Sequence, residues 1–241
     1  MIAYELNLME DRLENASVSA SFAFDDKDAQ KIIDWYSQLT QFFTWPFIFI
    51  VTKLLLDIEF RGVENFREVK NPFVIIANHI SFYDSFLFRL ALGFWTRHLP
   101  LRFMAVEKFQ WRALNVLSAI GVIKILYLLF GVFTVLPGLG VERNLKKATD
   151  IIKAGGNIVI YPEGKIVPSG DIGSFKQGAA VLYKKTGIPV IPVYFQHTKS
   201  SSYRKKIVVI VGTSISTSNS ASDQEVTNFF RDSLVRLKLN E

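Results

Sequence analysis

The chain sets a histidine five positions before an aspartate in "NHISFYDS", residues 78–85, directly after the apolar run "PFVIIA". An imidazole accepts a proton near neutral pH, and a neighbouring carboxylate fixes its tautomer and stabilises the imidazolium that forms. His79 and Asp84 are therefore a candidate proton-transfer pair, with a polar cap on a buried strand as the structural alternative. A second polar stretch, "YPEGK" at residues 161–165, also ends an apolar run. It offers a carboxylate at Glu163, a close backbone approach at Gly164 and a cation at Lys165. An ordinary turn with a surface salt bridge is its alternative. A proton-transfer pair gains meaning only beside a substrate site, so the fold must bring the two stretches together.

The surrounding text supplies elements that would do so. "PFVIIA" and "NIVI" are short, continuous apolar runs of the kind buried parallel strands show. A motif that follows such a strand lies at its carboxyl end, where open α/β sheets bind ligands. "IEFRGVENF" alternates like a strand and turns at Gly62, and "GVFTVL", "IPVIPVYF" and "KKIVVIVG" read as further strands. Between them, "DSFLFRLALGFW" reads as a helix. "RNLKKATDIIKAGG" carries Leu145, Ala148, Ile151 and Ile152 at helical spacing and stops at Gly155 and Gly156, and "FKQGAAVLYKKTG" closes at Gly187. Ser222 and Glu225 form a capping box for a last helix. The apolar stretch 113–137 holds one charge, Lys124, and reads as a helix bounded by Gly121 and Gly131 and followed by a strand, rather than as a membrane span. Alternating strands and helices predict an α/β fold with a mostly parallel central sheet flanked by helices.

A chain of 241 residues accommodates one large domain. Hydrophobic residues make up 49% and Phe alone contributes 21, with a mean hydropathy of +0.23; a protein that touches a membrane fits best. Residues 1–34 hold eight acids against three bases while the whole chain carries +6, so the remainder is strongly basic. Such a body suits anionic lipid head groups, a phosphorylated substrate or an acidic carrier protein. No helix pattern shows the basic stripe with interleaved aromatics that nucleic acid binding wants, and that partner is not expected. The absence of cysteine excludes disulfides, thiolate metal sites and a cysteine nucleophile, and with only His79, His98 and His197 present no metal centre is expected. Acids stand where a signal peptide needs a basic and then apolar start, which points to the cytoplasm. Residues 1–34 read as a flexible polar arm. Residues 35–57 are aromatic and broken by Pro46, and predict two amphipathic helices, lying either in a membrane interface or buried in the domain; residues 58–241 form the main domain.

The order strand, "NHISFYD", some eighty residues, "YPEGK", "FKQGAA", "IPVIPV" resembles the 1-acylglycerol-3-phosphate acyltransferases, over residues 40–212 or thereabouts. The resemblance implies an α/β acyltransferase fold with an N-terminal amphipathic helical pair that docks on the cytoplasmic face of a membrane. It implies that His79 is the general base and Asp84 its orienting partner. Acyl carrier protein or coenzyme A thioester would be the co-substrate, with no other cofactor, and a lysophospholipid the acceptor. Glu163 and Gly164 would bind the acceptor or shape the site, with Ser81 and Asn78 nearby. In two places the chain departs from the family pattern: Lys165-Ile166 stands where Thr-Arg follows the Glu-Gly, and Pro137 where an arginine is expected to bind the acceptor phosphate. Lys165 is the first candidate to supply the missing cation, then Arg143 and Lys176. A neutral alcohol or glycolipid acceptor, and a non-catalytic lipid-binding protein, remain the alternatives.

Overall fold

The computed structural model describes residues 27–106, 121–135, 141–198, 204–217 and 220–239. In chain order these form α1 (Lys27–Leu55), β1 (Leu56–Arg61), α2 (Asn65–Glu68), β2 (Val74–Ala77), α3 (Asp84–Ala91), β3 (Leu101–Val106), α4 (Val122–Phe130), β4 (Val132–Val135), α5 (Val141–Lys153), β5 (Asn157–Ile160), α6 (Gly178–Thr186), β6 (Val190–Thr198), β7 (Lys205–Val211) and α7 (Asp223–Leu239). The strands make one sheet in the order β1-β7-β6-β2-β5-β3-β4. Every pairing is parallel except β6 with β7.

Residues alternate between two apolar layers, which explains why the central strands read as continuous apolar runs. On one face Val74, Ile76, Ile158 and Ile160 pack with Leu145, Ala148 and Ile152 of α5, Ala180 and Leu182 of α6, and Phe230 of α7. On the other, Ile75, Ala77, Val159, Val193 and Phe195 pack with Leu87 and Phe88 of α3 and Ile48 of α1. The expected punctuation is in place: Gly121, Gly131 and Gly187 flank their helices in the left-handed conformation. The Ser222 amide donates to Glu225 Oε2 at 2.7 Å while the Glu225 amide donates to Ser222 Oγ at 3.2 Å. Among the described residues no helix is long and apolar enough to cross a membrane.

The N-terminal region differs from the sequence reading. In place of two helices broken at Pro46, α1 is one helix of 29 residues that runs through it. It begins inside the segment read as a flexible arm, of which residues 1–26 lie outside the described part, and residues 56 and 57 already belong to β1. A proline in mid-helix removes one hydrogen bond, and here contacts on both sides hold the helix. Trp45 packs edge-on against Phe94 outside the helix, with centroids 5.2 Å apart, and Ile48 is buried. At the helix start, Asp34 accepts from Arg102 Nη1 of β3 at 2.7 Å.

The strongest tie is Gln41, a buried amide that behaves like a short piece of strand. Its Oε1 accepts from the Leu101 amide at 3.0 Å, and its Nε2 donates to the carbonyls of Leu101 at 2.8 Å and Phe130 at 3.0 Å. Gln41→Leu would leave these backbone groups buried and unpaired. It is expected to lower the unfolding free energy by about 2–4 kcal/mol in a urea titration, since each orphaned group costs about 1–3 kcal/mol.

Candidate active site

Of three adjacent parallel strands, β2 and β5 end together against the last part of β6. Ile76 of β2 pairs with Ile160 of β5, and Ala77 pairs with Val193 of β6, so the residues just beyond, Asn78–His79, Tyr161–Glu163 and Phe195–His197, meet at one edge. Asn78 extends the ladder with its side chain: Oδ1 accepts from the Phe195 amide at 2.8 Å and Nδ2 donates to the Phe195 carbonyl at 2.9 Å. This fixes the backbone from which His79 projects.

The spacing of histidine and aspartate has a local cause. The chain curls between them so that the Asp84 carboxylate reaches back to its own loop. Oδ2 accepts from the amides of Ile80 and Ser81, each at 2.7 Å, and lies 3.1 Å from His79 Nδ1. Asp84 has no exposed surface. Burial alone would raise its pKa, but His197, His79 and the Ser81 amide outweigh that and hold it below the usual carboxylate value. An ionised Asp84 accepts a proton-bearing Nδ1, which leaves Nε2 of His79 as the bare, basic nitrogen. The His79 ring stacks on Tyr161 at 3.9 Å between centroids. The Tyr161 hydroxyl pairs with Ser85 Oγ at 2.9 Å, and burial together with the Asp84 charge drives its pKa well up.

Glu163 comes to the same place but faces inward. It is 4% exposed, and its two oxygens accept from the His79 amide at 3.2 Å and the Gly173 amide at 2.8 Å. The carboxylate thereby ties the loop after β5 to the backbone under the histidine. Burial raises its pKa against the lowering influence of those two amides, His79 and Lys165. Gly164 has φ +66°, and a Cβ there would come within 2.7 Å of Lys176 Nζ, so the missing side chain is the space in which the Lys176 ammonium lies. Lys165 and Lys176 are both exposed beside this turn. Arg143, exposed in the first turn of α5, is not brought to the pair by any hydrogen bond or ion pair among the described residues. Pro137 lies outside them.

Two contributors went unassigned in the sequence. Tyr161 stands inside the quoted motif, and its position before Pro162 and Glu163 is the signal that could have found it. His197 lies two residues past the apolar part of β6, with Nε2 3.3 Å from Asp84 Oδ1. The third histidine, His98, is buried elsewhere, its Nδ1 2.6 Å from Asn71 Oδ1. Among the described residues no group of side chains could hold a metal ion.

A histidine oriented by a buried carboxylate at the carboxyl ends of parallel strands defines an α/β fold with a site suited to proton transfer. The family model described as Acyltransferase matches residues 57–196, more than half of the chain, and the protein belongs to that family. Among curated proteins, the 1-acyl-sn-glycerol-3-phosphate acyltransferase of Pseudomonas aeruginosa is 28% identical over 160 residues, covering 64% of this chain and 57% of that protein. The 1-acyl-sn-glycerol-3-phosphate acyltransferase beta of Homo sapiens is 30% identical over 169 residues, 66% of this chain and 53% of that protein. The chain thus spans about half the length of these relatives. The crystal structure of the 1-acyl-sn-glycerophosphate acyltransferase PlsC from Thermotoga maritima matches with a TM-score of 0.54 at 21% identity, covering 93% of this chain and 87% of that one, a likeness of fold.

Glu163→Gln tests the inward-facing carboxylate. An amide has one acceptor oxygen for two buried N–H donors, so the variant is expected to be less stable by about 1–3 kcal/mol. A folded-state pKa that is raised means stability present below the ordinary carboxylate range and lost as pH rises through the raised value. The gap between wild type and Glu163→Gln, measured by denaturant unfolding at several pH values, should therefore narrow across that window.

Proposed function

We propose that the protein is a membrane-associated O-acyltransferase that moves a fatty acyl group from a carrier-protein or coenzyme A thioester to the free hydroxyl of 1-acyl-sn-glycerol 3-phosphate, giving phosphatidic acid. The observation that carries this reading is the contact of His79 Nδ1 with the buried Asp84 carboxylate, which leaves Nε2 to act as base; the names of the relatives support the substrate class. His79 Nε2 takes the acceptor's hydroxyl proton as its oxygen bonds to the thioester carbonyl carbon. The carbon–sulfur bond then breaks and the imidazolium returns the proton to the leaving thiolate. No acyl-enzyme is needed, in keeping with a chain that has no cysteine. Positioned proton transfer of this kind contributes about 10²–10⁴-fold, and holding two amphiphiles in register supplies much of the rest. Lys165 and Lys176 are the cations for the acceptor phosphate.

Association with a membrane is supported by the surface of α1 and its neighbours. Ile32, Tyr36, Phe43, Phe47, Ile50 and Leu54 are exposed at helical spacing along α1, Ile125 and Leu126 are exposed on α4, which packs beside it, and Trp95 is 86% exposed. Aromatic and aliphatic residues in this arrangement suit the boundary between head groups and acyl chains.

His79→Ala is expected to abolish acyl transfer in a labelled-thioester assay while leaving sedimentation with anionic liposomes unchanged; transfer at the wild-type rate would remove His79 from the chemistry. Lys165→Ala and Lys176→Ala are each expected to raise KM for the phosphorylated acceptor by about 10-fold or more, in line with the loss of a charge-assisted hydrogen bond, and to leave KM for a monoacylglycerol nearly unchanged. Equal effects on both acceptors would place the phosphate elsewhere and favour a neutral acceptor.

A further inference from the structure

The reading of Asp84 as the partner of one histidine leaves half of its carboxylate unaccounted for. Oδ2 is saturated by two amides and His79 Nδ1. Oδ1 is equally buried and has no hydrogen-bond partner among the described residues, and the same holds for His197 Nε2. These two orphaned atoms face each other at 3.3 Å. They are within charge-pairing distance, although ring and carboxylate are not aligned for a full-strength hydrogen bond. A buried carboxylate oxygen without a donor is costly, and among the described residues no hydrogen-bond donor serves Oδ1.

His197 is also held in place. Its ring lies parallel to that of Tyr83, 5.5 Å between centroids and 5° between planes, and its Nδ1 is 3.4 Å from the Tyr83 hydroxyl. A hydroxyl that donates to Nδ1 leaves the imidazole proton on Nε2, the nitrogen that lies 3.3 Å from Asp84 Oδ1. Tyr83 immediately precedes Asp84, so the packing that orients the ring also braces the first turn of α3. The strand beneath is fixed in turn by the Asn78 pairing with Phe195, two residues earlier on β6.

We propose that His197 is a positioning residue of the acyl-transfer site: its Nε2–H serves the second oxygen of Asp84, so that one buried carboxylate is held between two imidazoles, only one of which, His79, meets the substrate. The proposal rests on His79 being the general base. Asp84 must stay ionised and correctly turned to stabilise the His79 imidazolium, and that need is greatest in the transition state. Removing the donor on Oδ1 weakens the carboxylate's preference for the charged form, consistent with the part His197 plays in holding the Asp84 pKa down.

The test compares wild type with His197→Ala, His197→Gln and His197→Asn. The glutamine amide reaches the position of imidazole Nε2 and can donate to Oδ1, whereas the shorter asparagine cannot. His197→Ala is expected to lower kcat by about 10–100-fold, the range for one hydrogen bond to a charged group, with KM for both substrates within about 2-fold of wild type. His197→Gln should recover to within about 3-fold of wild type, and His197→Asn should resemble alanine. Thermal unfolding of all four proteins is recorded alongside. A kcat unchanged in His197→Ala would overturn the proposal, as would equal losses in the glutamine and alanine variants that follow their loss of stability. Carbon-13 NMR of the Asp84 carboxyl gives a readout that needs no turnover: its titration should move to higher pH in His197→Ala and return in His197→Gln. If it does not move, the link to Asp84 is wrong. If it moves while wild type transfers no acyl group to any acceptor, the link stands and the assignment of His79 as base fails instead.

Discussion

The Asp84 carboxylate carries a charge with no exposed surface, and the site is arranged to make that tolerable. Two amides of its own loop, the ring of His79 and the facing ring of His197 gather around two oxygen atoms. Each donor comes from a position the sheet fixes: the loop from the end of β2, His197 from the end of β6, and the Tyr161 platform under His79 from the end of β5. The parallel pairing of β2 with both β5 and β6 therefore assembles this cluster, because it sets the ends of β2 and β5 beside the last residues of β6. Burial sharpens every interaction in the cluster and makes each unpaired atom more costly.

A second layer of backbone ties keeps this edge rigid. Glu163 spans the His79 amide and the Gly173 amide, and from α7 Arg231 Nε donates to the Gly173 carbonyl at 3.0 Å while its Nη2 donates to Ile172 at 3.2 Å. The C-terminal helix thus steadies the loop whose far side carries Lys176. Away from this edge Gln41 and the Asp34–Arg102 pair lock α1 to β3 and to the end of α4. The apolar face of α1 is held at a fixed orientation to the sheet, and a surface seated on that face would be presented to the site in one geometry.

Much of this was legible in the amino-acid sequence, for identifiable reasons. The buried strands announce themselves because both faces of the sheet are covered, so "VIIA" and "NIVI" contain no polar residue that faces solvent. The pairing of His79 with Asp84 follows from a loop too short to separate them. His197 was hidden because its relation to Asp84 depends on the register of β6 against β2, which no local pattern encodes. The inward direction of Glu163 was hidden likewise, since it is set by a loop that returns ten residues later with the Gly173 amide. Pro46 misled in the other direction: proline is a helix breaker on intrinsic preference, but Gln41, Trp45 and Ile48 supply tertiary contacts that outweigh one lost hydrogen bond.

The state of the His79 imidazole decides between an oriented base and a merely structural histidine. Nitrogen-15 NMR of the uniformly labelled protein at neutral pH distinguishes the two neutral tautomers directly. The expected result is a proton on Nδ1 and a bare Nε2 in the wild type, with this preference lost in Asp84→Asn. A His79 that carries its proton on Nε2 in the wild type, or that keeps the same tautomer without the Asp84 charge, would contradict the view that the buried carboxylate prepares this histidine for catalysis.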